Sequence, residues 1–139
     1  MLTEGSYFAY MPQKEHSIAC LGNAGCFSGQ VTRVIDGDTI VVNDVHVRLA
    51  LAAAPELDQK GGIEAKEFVE SLCPLGSQAS VDEDDGQTGG SYGRTIAKVY
   101  CGNELVNSAL LEKGLGYIDQ RFCPASEFSR EDWAKKYGC

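Results

Sequence analysis

An alternating apolar pattern over residues 29–51, broken by two turn signals, most constrains what this chain can fold into. β-Branched side chains dominate the pattern, which is typical of strands with one buried face. Asp36-Gly37 and Asn43-Asp44 interrupt it where turns are expected. In the last segment the alternation places Arg48 on the face opposite the apolar residues. The pattern predicts three consecutive strands joined by short turns.

The next segment changes to helical spacing and then returns to strands. Apolar residues recur at i, i+3, i+4 and i+7 from Ala65 to Leu72, which predicts an amphipathic helix that Pro74 must end. Residues 79–81 and 95–100 read as two further strands, joined by an acidic, glycine-rich loop.

Two more helices are predicted near the C-terminus. Asn103 is expected to cap a second helix that Gly114 closes. The capping pattern Ser129-x-x-Asp132 is expected to begin a third, in which Trp133 is a core anchor. Strands, a helix, two strands and then helices indicate a small α+β domain with a closed or nearly closed sheet.

The chain has six cysteines, an even number, and none lies in a Cys-x-x-Cys motif. This favours a disulfide framework in an exported protein over zinc binding or thioredoxin-like chemistry. Buried free thiols are the alternative. Many connectivities are open to six cysteines; the arrangement expected from chain geometry pairs Cys20 with Cys26, Cys73 with Cys101, and Cys123 with Cys139 around the last helix.

Charge and length indicate a single-domain protein that does not bind DNA through a broadly basic surface. A chain of 139 residues is one domain by length, and its net charge of −8 argues against diffuse, sequence-blind DNA binding. Much of the acidic excess lies in one run, residues 82–85, and acidic surfaces also keep secreted proteins soluble. No apolar run approaches a membrane span, and the first residues lack the basic and apolar regions of a signal peptide.

Four separated motifs carry residue types suited to phosphodiester chemistry. Asp36-Gly37-Asp38-Thr39 follows the first strand, Arg48 lies on the third, Glu56 comes just beyond it, and Tyr92-Gly93-Arg94 lies farther downstream. A guanidinium can hold phosphate oxygens bidentately, so Arg48 and Arg94 suit charge stabilisation. Glu56 suits the acceptance of a proton from water. Singly, each residue reads as a surface salt bridge, a plain turn or a solvated acid, but as an ordered set they favour a functional site.

In that order and spacing the motifs resemble the staphylococcal nuclease (thermonuclease) family, from about Phe27 to Ile118. The resemblance implies a five-stranded OB-type β-barrel with three helices, stapled here by disulfides. It divides the chain into an irregular N-terminal arm, residues 1–26, and a thermonuclease-like domain, residues 27–139.

The resemblance also implies roles for individual residues. Asp38 matches the family's direct Ca²⁺ ligand, Asp36 lies just behind it, and the backbone carbonyl of Ala54 matches a further ligand. Where the family has an aspartate ligand this chain has Ala53, so a weakened Ca²⁺ site, or one for another divalent metal, is expected. Tyr92 matches a tyrosine that helps hold the substrate phosphate.

Three smaller departures affect the substrate side of the same site. Ser91 stands where the family has a lysine, and Gln120 and Phe122 stand where family tyrosines pack around the base. Phe122 can still stack on a base, whereas Gln120 cannot do so equally well.

Three functions are therefore carried forward. The leading hypothesis is a secreted, monomeric nuclease acting on single-stranded or frayed nucleic acid, with no membrane or protein partner. The second is a catalytically impaired OB-fold module that binds nucleic acid, favoured by Ala53, Ser91 and the acidic charge. The third is a structural extracellular domain. Retention of Glu56 beside two arginines favours the enzyme, because a binding module has no use for a general base in a phosphate site.

Overall fold

The alternating segment forms the predicted strands and turns in the computed structural model, which describes residues 20–139. Both residues of the Asn43-Asp44 turn have positive φ angles, 50° and 64°, as a tight hairpin turn requires. The strands are β1 (Cys26–Asp36), β2 (Thr39–Val42), β3 (Val45–Leu49), β4 (Ala52–Ala53), β5 (Gln78–Glu83), β6 (Thr95–Cys101), β7 (Glu104–Leu105) and β8 (Tyr117–Ile118). The helices are α1 (Gly62–Leu72), α2 (Val106–Glu112) and α3 (Asp132–Tyr137).

Five of these strands close into a barrel. β1 is long enough to pair with β2 through its C-terminal half and with β5 through its N-terminal half. β2 pairs with β3 and β5 with β6, all antiparallel, and a parallel pairing of β3 with β6 closes the ring. The predicted α+β fold, an OB-type barrel with three helices, is confirmed.

The hydrophobic core fills the barrel and the space between its wall and the helices. Val31, Val47, Val81 and Val99 come from four different strands, and each is fully buried. Phe128, from a short 3-10 turn at Glu127–Arg130, is also fully buried. Ile40 on β2 pairs with Val47 and is also buried, so Thr39 on β2 and Arg48 on β3 lie together on the opposite face of their strands.

The helix capping predictions near the C-terminus were wrong in detail. Asn103 lies in a turn before β7, and α2 begins after Leu105 without a side-chain cap. Ser126, not Ser129, caps the 3-10 turn that precedes α3. The hydroxyl of Ser129 instead donates a hydrogen bond to the carbonyl of Cys123. In both places a short element, β7 or the 3-10 turn, precedes the helix, and it is too short to produce a periodic pattern in the sequence.

All three expected disulfides form, so the alternative of free thiols is excluded for residues 20–139. Cys73–Cys101 links the end of α1 to the end of β6 inside the core. Cys123–Cys139 spans 16 positions and ties the end of α3 to the segment after β8.

Most of the predicted N-terminal arm, residues 1–19, lies outside the described residues. Residues 20–25 form no helix or strand before β1 begins. Within residues 20–139 no helix is long and apolar enough to cross a membrane.

Candidate functional site

One face of the barrel carries a cavity of about 360 Å³ where β3, β6 and two loops meet. Its walls combine three arginines with apolar and aromatic side chains, a mixture suited to a ligand with both a charged and an apolar part. The lining residues most relevant to chemistry are Arg48, Tyr92, Arg94, Asp119, Arg121 and Phe122.

Arg48 is held rigidly on β3. Its Nη1 donates to the carbonyls of Leu49, at 2.7 Å, and Ala52, at 3.0 Å. Its Nη2 lies 3.5 Å from Oδ2 of Asp38, a carboxylate that is itself almost fully buried. A guanidinium fixed in this way loses little conformational entropy when it binds an anion.

Arg94 is connected to the same carboxylate through one hydroxyl. Its Nη1 donates to Oγ1 of Thr39 at 3.2 Å, and that hydroxyl donates to Oδ1 of Asp38, also at 3.2 Å. Strand register explains the meeting, because Thr39 pairs with Arg48 across β2 and β3, while Arg94 directly precedes β6, which pairs with β3. The two arginines expected to hold phosphate are thus brought together at one cavity.

The loop before β6 presents Tyr92 at the cavity and orients Arg94. Ser91 and Arg94 form a tight turn in which Tyr92 and Gly93 both have positive φ, 51° and 78°. The carbonyl and hydroxyl of Ser91 accept hydrogen bonds from Arg94 Nε and Nη2, at 3.0 and 3.1 Å. Tyr92 is 98% exposed, so its ring is accessible to a ligand.

Asp36 and Asp38 lie together at the turn before β2, beside the cavity rather than in its lining. Burial is the main reason that the pKa of Asp36 is raised to about 6, and the hydrogen bond and charge of Asp38 raise it further. The charge of Glu56 adds a smaller increase. Asp36 therefore interacts electrostatically with both of the other carboxylates expected at the site.

Glu56 lies on the exposed turn between β4 and α1, outside the lining of the cavity. Its backbone N–H donates to Oε1 of Gln59, at 3.0 Å. Gly62 allows this turn, because a Cβ there would lie 1.9 Å from the carbonyl oxygen of Glu56. Gly37 likewise permits close packing, since its Cβ would lie 2.7 Å from that of Ala54.

Comparison with known proteins identifies this arrangement. A sequence model described as staphylococcal nuclease homologue matches residues 46–136. The chain belongs to the staphylococcal nuclease family.

Three relatives illustrate the family's range. Thermonucleases of Staphylococcus hyicus and Staphylococcus intermedius are 36% and 37% identical, over 70% and 61% of this chain. Micrococcal nuclease of Shigella flexneri is 27% identical over 79% of it. The matched segments cover 62%, 55% and 68% of these three relatives respectively.

A Ca²⁺ ion, which the staphylococcal nuclease family implies, finds a reduced donor set in this chain. Ca²⁺ takes roughly six to eight oxygen ligands. Within residues 20–139 no three acidic, histidine or cysteine side chains are arranged to hold a metal. Ala53 is buried and offers no side-chain oxygen, whereas Asp38 accepts a hydrogen bond from the backbone N–H of Ala54 at 2.9 Å. The side chains expected to hold the ion therefore offer the carboxylates of Asp38 and Asp36 and no third carboxylate at position 53, so the residues fit Ca²⁺ only in part.

Sequence reasoning missed three members of the site. Thr39 was noted only as part of a motif, although its hydroxyl connects Arg94 to Asp38. Asp119 and Arg121 were not singled out, although both line the cavity. The sequence did offer one signal for Asp119 and Arg121. Both lie within three positions of Phe122, which was already expected near the base, so they should lie close to the same site.

Proposed function

We propose that this chain is a nuclease that hydrolyses phosphodiester bonds in single-stranded or frayed nucleic acid. The observation that carries the proposal is the convergence of Arg48 and Arg94 on one cavity, with Thr39 and Asp38 between them. Guanidiniums held by several hydrogen bonds are preorganised to stabilise negative charge that develops on phosphate oxygens.

Each site residue has a distinct role in this proposal. Arg48 and Arg94 bind the non-bridging oxygens of the scissile phosphate, and Tyr92 contacts the same phosphate from the exposed turn. Glu56 accepts a proton from water, the water oxygen forms a bond to phosphorus, and the bond from phosphorus to the leaving oxygen breaks. The leaving oxygen then takes a proton from solvent, so charge and protons balance.

A divalent cation would be held by Asp38 and the carbonyl of Ala54, with Asp36 behind Asp38. When bound, the ion neutralises phosphate charge and supplies Lewis acidity. The three disulfides support a location in an oxidising, extracytoplasmic compartment.

The alternative, a nucleic-acid-binding module without efficient catalysis, is favoured by two observations. Within residues 20–139 no three-ligand metal cluster is present, and Glu56 lies outside the cavity lining. A module of this kind would keep the arginine grip on phosphate but not the hydrolysis.

A cleavage assay separates the two functions. Labelled single-stranded DNA and RNA are incubated with the protein in Ca²⁺, Mn²⁺, Mg²⁺ or chelator, beside Glu56→Gln as the matched control. We expect metal-dependent cleavage that Glu56→Gln reduces at least about 100-fold, the lower range for loss of a general base. Binding without cleavage under every condition would support the module instead.

A further inference from the structure

Arginine side chains are concentrated at the cavity, although the net charge of the chain is −8. The chain has 20 acidic residues and five arginines, and three of those arginines line this cavity. Two are Arg48 and Arg94. The third, Arg121, lies on a different element, the 3-10 turn Gln120–Phe122.

Arg121 is clamped although its side chain is 78% exposed. Its Nε and Nη2 bind the two carboxylate oxygens of Asp119, at 2.9 and 2.6 Å. Its guanidinium also lies 5.1 Å from the centre of the Phe122 ring. A guanidinium has more N–H donors than this clamp uses, so an exposed edge remains able to bind an anion.

Asp119, the carboxylate that binds Arg121, is itself fixed to the rest of the fold. Asp119 has a side chain only 11% exposed, and its backbone N–H donates to the carbonyl of Leu51 at 2.8 Å. Bonding to Arg121 is the main reason that the pKa of Asp119 is lowered, and the charge of Arg48 lowers it further. Asp119 therefore fixes Arg121 at the wall of the same cavity that Arg48 and Arg94 line.

We infer that Arg121 binds a second phosphate of the same nucleic-acid strand, next to the phosphate held by Arg48 and Arg94. This inference rests on the proposed function and adds Arg121 to the residues that position the strand at the same site. The Asp119 side chain also caps the 3-10 turn by accepting from the backbone N–H of Arg121, but that bond does not need the arginine side chain. Because the Arg121 side chain is 78% exposed, its ion pair with Asp119 is expected to contribute only modestly to stability. Fixing the guanidinium before the ligand arrives lowers the entropy cost of a phosphate contact.

The test compares ligands that differ by one phosphate. Equilibrium affinity is measured by calorimetry for a thymidine dinucleoside monophosphate and for the same dinucleotide with a 5′ or a 3′ terminal phosphate. The Glu56→Gln background is used because it is expected to slow cleavage during the measurement. Arg121→Gln, Arg121→Lys and, as the matched control, Arg130→Gln are compared in that background, because Arg130 is an exposed arginine that does not line the cavity.

We expect one terminal phosphate to tighten binding about 10-fold, in the range of a charge-assisted contact at a partly exposed site. Arg121→Gln should abolish most of that gain and change affinity for the monophosphate less than about twofold. Arg121→Lys should keep part of the gain, and Arg130→Gln should keep all of it.

The inference is overturned if neither terminal phosphate improves binding, or if Arg121→Gln weakens every ligand equally. Thermal unfolding of each variant identifies general loss of structure. If Arg121→Gln is unfolded, the test is made with the milder replacement Arg121→Lys. Cleavage by the unaltered protein is measured separately. If the phosphate gain depends on Arg121 but nothing is cleaved, the subsite stands and the proposed nuclease activity fails; the reverse result rejects the subsite alone.

Discussion

At the scale of single residues, the hydroxyl of Thr39 connects the two arginines that are proposed to bind phosphate. Its hydroxyl accepts from Arg94 and donates to Asp38, which also faces Arg48. A movement of either arginine is therefore opposed by a shared set of hydrogen bonds. Such preorganisation lowers the cost of stabilising a charged transition state, because the dipoles need not reorient during the reaction.

Arg94→Ala should slow the reaction much more than it weakens substrate binding. Arg94 is oriented by Ser91 and Thr39 toward the cavity, where charge is expected to develop on the phosphate. We expect kcat to fall about 100- to 1,000-fold, and KM to change less than about threefold. Steady-state kinetics on a single-stranded oligonucleotide measures both, with Arg130→Ala as control. A raised KM with unchanged kcat would assign Arg94 to ground-state binding instead.

Ala53→Asp should strengthen the proposed metal site. A unit charge about 4 Å from a divalent ion contributes several kcal/mol at an effective dielectric near 20, before desolvation is subtracted. We therefore expect the Ca²⁺ dissociation constant, measured by calorimetry, to fall about 10-fold or more. Because Ala53 is buried, the metal-free variant should unfold at lower temperature.

Ala53→Asn is the matched control, since it has nearly the shape of aspartate without its charge. It should reproduce the loss of stability but not the gain in Ca²⁺ affinity. If unaltered protein already binds Ca²⁺ tightly and Ala53→Asp changes nothing, another group supplies the missing ligand.

At the scale of elements, periodic segments could be predicted from the sequence and short connecting elements could not. The strands from β1 to β3 and helix α1 show clear alternation or helical spacing, and Pro74 follows the end of α1 as predicted. The 3-10 turn Gln120–Phe122 is too short for any period. That turn carries Arg121, which explains why one side of the cavity was missed.

That Arg48 and Arg94 share a site could be predicted from the sequence, but the strand pairing that brings them together could not. Motif order suggested that Arg48 and Arg94 share a site, but only the parallel pairing of β3 with β6 brings their strands into contact. A parallel contact between distant segments leaves no local signal, so the closure of the barrel depended on the family resemblance.

The ion pair between Asp119 and Arg121 should show in the pH dependence of stability. The pKa of Asp119 is lowered in the folded protein, chiefly by Arg121. Its stabilising effect is therefore present above the unfolded-state pKa, near 3.9, and is lost as pH falls through the folded-state value. Urea unfolding at pH 7 and pH 3 should show that Asp119→Asn destabilises the protein more at pH 7 than at pH 3, because part of the stabilising effect is already lost at pH 3. An equal difference at both values would mean that the carboxylate charge contributes nothing.

The disulfide Cys123–Cys139 should stabilise the C-terminal segment and the cavity together. Closing a loop of 16 residues is worth about 3 kcal/mol in the chain-entropy model. Cys123 directly follows Phe122, so its bond also restrains the cavity wall. We expect the double replacement Cys123→Ala and Cys139→Ala to lower the free energy of unfolding by about that amount and to weaken nucleotide binding. The double replacement Cys20→Ala and Cys26→Ala, distant in sequence from the C-terminal segment, is the comparison.

At the scale of the whole molecule, an acidic protein is proposed to bind a polyanion through a local concentration of arginine. The net charge is −8, yet one carboxylate and three arginines line the cavity. Long-range repulsion between the acidic surface and nucleic acid is screened beyond about 10 Å at moderate salt. Contacts inside the cavity operate at shorter range, so binding should depend on a few fixed guanidiniums rather than on the average charge.

This division of charge predicts an unusually shallow salt dependence of binding. For single-stranded nucleic acid, the slope of log K against log salt is about −0.7 for each phosphate neutralised. Two or three arginine contacts therefore give about −1.4 to −2.1, whereas an extended basic surface would give a much steeper slope. Fluorescence anisotropy of a labelled oligonucleotide with Glu56→Gln protein measures the slope without cleavage. Arg130→Ala should leave it unchanged, while Arg48→Ala should make it shallower by about 0.7. A slope steeper than about −4 would mean that phosphates are held outside this cavity, and the site would then have to be reassigned.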